Sequence, residues 1–186
     1  MRRLDTRLDG PMLIEPKVIG DERGFFCETY RHSVFDELGI QEDMVQDNHS
    51  RSRQGIVRGM HFQIGKGVAK LVRCSRGAIL DVVVDIRRGS PTFSDWEAFE
   101  LTDDNMHIVY CPIGFAHGFC TLSDVADVIY KQSSYYSDDV ERGIKYDDPD
   151  VGIAWPAGLE LTPSQRDASA PLLRDVADEL PFVYAK

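Results

Sequence analysis

The residues with the most to say about chemistry lie in Arg58-Gly59-Met60-His61-Phe62-Gln63, with Lys70 just downstream. Strand alternation over this run puts Val57, Gly59, His61 and Gln63 on one face and Arg58, Met60 and Phe62 on the other. In the next strand Lys70 shares its face with Val68, Val72 and Cys74. An ammonium on an apolar strand face is costly to bury unpaired, so Lys70 is either an edge residue reaching back to water or a functional group. An imidazole is a ready general base. Asp167, in the polar patch Ser164-Gln165-Arg166-Asp167, is the kind of carboxylate that fixes an imidazole's tautomer and stabilises its cation. Tyr130 shares a strand face with Ala126 and Val128, which turns its hydroxyl inward as a core residue with one hydrogen bond or as a general acid.

Metal chemistry is less well provided for. His61 and His117, the latter in Pro112-Ile113-Gly114-Phe115-Ala116-His117, lack a third ligand at a suitable offset. No metal and no cofactor is therefore expected. Gly65-Lys66-Gly67 lacks the strand–turn–helix setting of a phosphate-binding loop and reads as a hairpin turn. No nucleophile elbow is visible. What remains is acid–base chemistry.

The elements that must carry these groups are mostly strands. Residues 11–30 read as two strands about a turn at Gly20-Asp21-Glu22-Arg23-Gly24, the second running from Phe25 to Tyr30. Ser33 to Leu38 reads as a short helix capped by Ser33 and stopped by Gly39. Strands follow at about 43–48, 56–63, 68–75, 78–86, 96–101, 107–111, 117–122 and 125–132, with a tight turn at Gly77. Ala78 to Ile86 is rich in valine and isoleucine, interrupted by Asp81 and Asp85. Ser137 to Pro163 is a long loop rich in Asp, Gly and Pro, and long ordered loops usually have a job. A C-terminal helix is expected around Leu172 to Leu180. Many short strands with little helix predict an all-β jelly roll, a barrel-like sandwich with an interior pocket.

The 186 residues are expected to form one domain, 1–186. A net charge of −10 argues against a general nucleic-acid surface, while leaving room for a phosphate-bearing ligand held by a few arginines. The first residues, MRRLDTRLDG, are not followed by a signal-peptide core, and no apolar run approaches a membrane span. Cys27, Cys74, Cys111 and Cys120 show no CxxC spacing and read as reduced, buried thiols, although two disulfides are the alternative. A cytoplasmic protein without membrane contact is expected.

Seven ordered motifs carry a further signal. They are Asp21-Glu22-Arg23-Gly24-Phe25-Phe26, Gln46-Asp47-Asn48-His49-Ser50, Val57 to Gln63, Lys70-Leu71-Val72, Asp81-Val82-Val83-Val84-Asp85, Ser90-Pro91-Thr92-Phe93 and Gly114 to Phe119. With them the chain, from about Glu15 to Pro171, resembles the dTDP-4-dehydrorhamnose 3,5-epimerase family of RmlC-like sugar epimerases, in the cupin superfamily. The resemblance implies a metal-free jelly-roll homodimer in which an N-terminal strand crosses to the partner and helps build its site. It implies epimerisation at C3 and C5 of a dTDP-4-keto-6-deoxyhexose such as dTDP-4-keto-6-deoxy-D-glucose, a step toward dTDP-L-rhamnose and related sugars.

Carried over by position, His61 matches the family's base, Asp167 its dyad partner, Tyr130 the general acid and Lys70 the residue beside the C4 oxygen. Tyr136 and Phe26 match aromatics that pack on thymine. Arg23, Glu28, Gln46, Asn48, Arg58, His117, Glu141 and Arg166 match nucleotide- or sugar-binding positions. Pro163 stands where the family often has leucine before the serine. Three alternatives remain: an epimerase acting at C3 only or C5 only on a related nucleotide-bound 4-keto-deoxysugar, a non-catalytic sugar-nucleotide-binding cupin, and a metal-dependent cupin oxygenase.

Overall fold

A computed structural model describes residues 1–185. Along the chain its strands are β1 (Arg2–Leu4), β2 (Met12–Glu15), β3 (Val18–Asp21), β4 (Gly24–Cys27), β5 (Gln46–Arg53), β6 (Ile56–Gln63) and β7 (Lys70–Arg76). They continue with β8 (Ala78–Asp85), β9 (Trp96–Thr102), β10 (Ile108–Cys111), β11 (Phe115–Thr121), β12 (Val125–Gln132), β13 (Glu141–Gly143) and β14 (Thr162–Pro163). Three short α-helices are α1 (His32–Glu37), α2 (Gln165–Ala168) and α3 (Leu173–Val176).

The strands form two facing sheets, in the orders β1-β2-β10-β7-β12-β5 and β13-β6-β11-β8-β9, with β14 added in parallel to β6. This is the jelly roll predicted from the strand pattern. Val72, Cys74, Val83, Phe99, Val109, Phe115, Phe119 and Val128 fill the space between the sheets. The outer face of the second sheet, with Met60, Phe62, Val82 and Val84, is covered by Ile144, Val151, Leu173, Leu180 and Phe182 from the C-terminal third. That cover explains why the Val-rich β8 is buried on both faces. Among the described residues β3 and β4 pair only with each other, as a two-stranded arm.

Strict alternation fails in β6. Arg58 pairs with Phe119 and His61 with His117, so Gly59 and Met60 together oppose Gly118. This extra residue is a β-bulge, and it turns Arg58 and His61 to the same side instead of opposite sides. The bulge needs glycine on both strands. Gly59 has φ +130°, and a Cβ there would sit 2.4 Å from the Gly118 Cα; a Cβ on Gly118 would sit 2.7 Å from the Arg58 carbonyl oxygen.

Other boundaries also differ from expectation. Helix α1 starts one residue early, with Arg31 at its N-cap and no side-chain cap, so Ser33 falls inside the helix. Strand β5 starts later than expected and runs on to Arg53 because its whole length pairs with β12. The C-terminal helix is broken into α3 and a 3₁₀ turn at Ala177–Glu179. The long loop contains β13 and β14, both recruited by β6. All four cysteines are free thiols; burial pushes Cys74 and Cys120 up to about 11 and Cys111 up to about 12.

Candidate active site

His61 and Asp167 lie 106 residues apart, and β6 brings them together. Thr162 and Pro163 run parallel to Ile56 and Val57, with the Thr162 N–H donating to the Gly55 carbonyl. Proline is tolerated here because the ribbon lies at a sheet edge. Ser164 then caps α2, its Oγ accepting from the Asp167 N–H, and this turn returns Asp167 against β6. The His61 Nε2–H donates to Asp167 Oδ1 at 2.6 Å. A carboxylate accepts only, so Nδ1 is the free nitrogen of His61. Asp167 is nearly buried, and burial alone would raise its pKa. The hydrogen bond and charge of His61, with the Ser164 and Gly59 contacts, outweigh that and hold it below the usual carboxylate value.

A cavity of about 420 Å³ opens on this pair. Arg58, His61, His117 and Phe119 come to it from the second sheet, and Ser50, Lys70 and Tyr130 from the first. Lys70 is buried and makes no ion pair among the described residues. Tyr130 is half-buried; burial, then the charges of Glu141 and Tyr136, push its phenol up against an opposing pull from Arg58. Arg58 donates from Nε to Ser52 Oγ at 3.0 Å. His117 repeats the arrangement of His61: its Nε2–H donates to Asp81 Oδ2 at 2.8 Å, deep between the sheets.

A neighbouring cavity of about 440 Å³ shares His61, Arg166 and Asp167 with the first and is lined further by Glu141 and Arg142. The Arg166 guanidinium also donates to the Tyr136 hydroxyl at 3.4 Å. Gln46 and Asn48 are hydrogen-bonded to each other on the same face of β5 as Ser50. The structure thus gathers Arg58, His61, Lys70, His117, Tyr130, Arg166 and Asp167 around one cavity, with Glu141 and Tyr136 beside it.

It does not bring Arg23, Phe26 and Glu28 there. They belong to the exposed arm: Arg23 pairs with Asp21, Glu28 with Arg31, and Phe26 is 68% exposed. Asp81 is a site residue that residue-type reasoning missed, although an acid sharing a face with Val83 in an otherwise apolar strand was the signal. Its companion Asp85 has a structural task, accepting from Arg87, Ser90 and Thr92 to pin the following loop. Among the described residues no three His, Cys, Asp or Glu side chains converge as a metal's ligand set would.

Comparisons with known proteins identify relatives over most of the chain. The family model for dTDP-4-dehydrorhamnose 3,5-epimerase matches residues 5–175. The dTDP-4-dehydrorhamnose 3,5-epimerase of Salmonella typhimurium is 46% identical over 172 residues, covering 91% of this chain and 94% of the relative. The crystal structure of dTDP-6-deoxy-D-glucose-3,5-epimerase RmlC from Legionella pneumophila, in complex with dTDP-4-keto-L-rhamnose, is similar with a TM-score of 0.96 at 44% identity. It covers 100% of this chain and 99% of its own. NovW, a 4-keto-6-deoxy sugar epimerase from the novobiocin biosynthetic gene cluster of Streptomyces spheroides, is similar with a TM-score of 0.93 at 40% identity, covering 98% and 93% of the two chains.

Proposed function

This chain belongs to the dTDP-4-dehydrorhamnose 3,5-epimerase family, and from that premise we propose that it inverts C3 and C5 of dTDP-4-keto-6-deoxy-D-glucose through an enolate. It is an isomerase acting on a dTDP-sugar. The C4 ketone acidifies the adjacent C–H bonds. His61 takes a proton at Nδ1, while Asp167 holds the imidazole and stabilises its cation. Lys70 stabilises the charge that develops on the C4 oxygen. Tyr130 gives a proton to the opposite face of the carbanionic carbon, which inverts it. A phenol held above its ordinary pKa remains protonated at neutral pH, as an acid must. A proton leaves and a proton returns, so the balance closes without electron transfer.

The observation that carries this reading is that His61 and Tyr130 enter one cavity from opposite sheets. A sugar ring between them would meet a base on one face and an acid on the other. A site that only binds has no need of that opposition. Arg58 and Arg166 supply cationic partners for the diphosphate, and Glu141 and Tyr136 border the neighbouring space where the nucleoside would lie.

We further infer a homodimer. Val18, Ile19, Phe25 and Phe26 leave the β3–β4 arm 44–68% exposed on an apolar surface that a second copy would cover. Arg23, Phe26 and Glu28 of that arm would then complete the partner's site. Among the described residues no helix is long and apolar enough to cross a membrane. A cytoplasmic nucleotide-sugar enzyme is the setting proposed.

Proton NMR of dTDP-4-keto-6-deoxy-D-glucose with the protein in D2O tests the activity. Deuterium at both C3 and C5 is the expected result. Exchange at one carbon makes the protein a C3-only or C5-only epimerase, and no exchange at either overturns the catalytic reading.

A further inference from the structure

Three amide side chains between β5 and β12 form a relay whose direction is determined by its ends. The Tyr136 backbone N–H, which can only donate, meets Gln46 Oε1 at 2.8 Å. Gln46 Nε2 must then donate onward, and it does so to Asn48 Oδ1 at 2.9 Å. Asn48 Nδ2 donates to Gln132 Oε1 at 3.2 Å. Gln132 Nε2 ends the chain on the Ser134 carbonyl, which can only accept, at 3.3 Å. Reversing any one amide would set two acceptors or two donors against each other at both of its contacts. Gln132 is 4% exposed, whereas Gln46 and Asn48 are partly exposed.

We propose that Gln132 is a positioning residue for the substrate's nucleotide, acting through Asn48 and Gln46. Together with Gln46 it ties the Ser134–Tyr136 loop to the sheet, Gln132 holding the Ser134 carbonyl and Gln46 the Tyr136 N–H, and so fixes Tyr136. It also orients Gln46 and Asn48: each engages its oxygen and one N–H within the relay, and each keeps one N–H to offer. The group they serve is an acceptor, a carbonyl or phosphate oxygen of the nucleotide. This rests on the reading of the site as a dTDP-sugar site.

The test uses the full chain with dTDP and with the keto-sugar substrate. In Gln132→Met the dTDP affinity falls about tenfold and KM rises to match, with kcat within about threefold because the groups around the reacting carbons are untouched. Gln132→Glu separates relay from packing. Its ionised carboxylate cannot donate to the Ser134 carbonyl, whereas the protonated acid can both donate and accept. Its affinity relative to wild type at the same pH therefore recovers as pH falls from 8 toward 5, and that of Gln132→Met does not. Wild-type affinity and KM in Gln132→Met overturn the proposal. Should that variant fail to fold, a flat affinity ratio across pH in Gln132→Glu overturns it instead. If the wild-type protein itself binds no dTDP, the reading of the site falls and takes this inference with it.

Discussion

His61 and His117 are direct partners across β6 and β11, and each donates from Nε2 to its own buried carboxylate, Asp167 or Asp81. The two imidazoles differ in access. The His61 side chain is 26% exposed and that of His117 only 7%. The more open of the pair is the one that can reach a substrate carbon.

His61→Ala should therefore abolish turnover, with a loss of at least about 10²-fold and as much as 10⁴-fold, as expected for a missing general base. The dTDP affinity should be largely unchanged, since Asp167 and His61 lie at the reacting end. Stopped assays and calorimetric titration with dTDP check both halves. Near-normal turnover would remove His61 from the role of base.

Tyr130→Phe should lower product formation by roughly 10²-fold, the cost of a lost general acid. Solvent exchange at the carbon acidified first should suffer less, because the base and the enolate-stabilising groups remain. NMR in D2O reads exchange and product together. An equal loss of both would make Tyr130 a positioning group.

Much of this was legible in the residues. The strand-rich pattern gave the jelly roll, and His61, Lys70, Tyr130 and Asp167 stood out by type and by motif. Their assembly was not legible. Asp167 reaches His61 only because β14 pairs with β6 and Ser164 caps the next turn, and a two-residue ribbon leaves no periodic signal. Arg58 was expected to face away from His61, because alternation counts residues and cannot see a bulge. β13 was hidden in the Asp- and Gly-rich loop for the same reason as β14: long-range pairing, not local propensity, makes it a strand.

The bulge gives a sharp stability prediction. In Gly59→Ala the new Cβ would lie 2.4 Å from the Gly118 Cα and 2.9 Å from the His117 carbonyl oxygen, with φ at +130°. Both obstacles are backbone, so neither can swing aside. A loss of about 3 kcal/mol or more follows from overpacking together with the unfavourable φ. Thermal unfolding would show it as a lowered Tm, and a Tm equal to wild type would contradict the bulge geometry.

Acid should unfold the protein through specific carboxylates. The Arg51 hydrogen bond holds Asp127 down to about 2, against the opposing effect of burial and with help from His49, and Asp167 is also lowered. A depressed folded pKa means that the unfolded chain binds the proton more tightly. The stabilisation is therefore fully present above the unfolded value of about 3.9 and is lost as pH falls through the folded value. Asp127→Asn should show a smaller drop in stability than wild type between about pH 4 and pH 2, measured by urea unfolding. An identical pH dependence in the two proteins would dismiss Asp127 as a contributor.

The arm makes the last prediction, one that depends on two chains. Phe26 is 68% exposed and lies outside the cavity of its own chain, whereas His61 lies inside it. If the arm completes a partner's site, Phe26→Ala and His61→Ala damage different halves of each composite site. A mixed dimer then holds one site with both defects and one with neither. Each variant alone should be impaired. Mixing the two after mild dissociation and reassociation should restore up to about a quarter of wild-type activity, because random pairing makes half of the dimers mixed and half of their sites intact. The restored activity should rise and fall with the mixed-dimer population on native mass spectrometry. Mixed dimers without restored activity would mean that each chain's own arm serves its own site, or that Phe26 serves none.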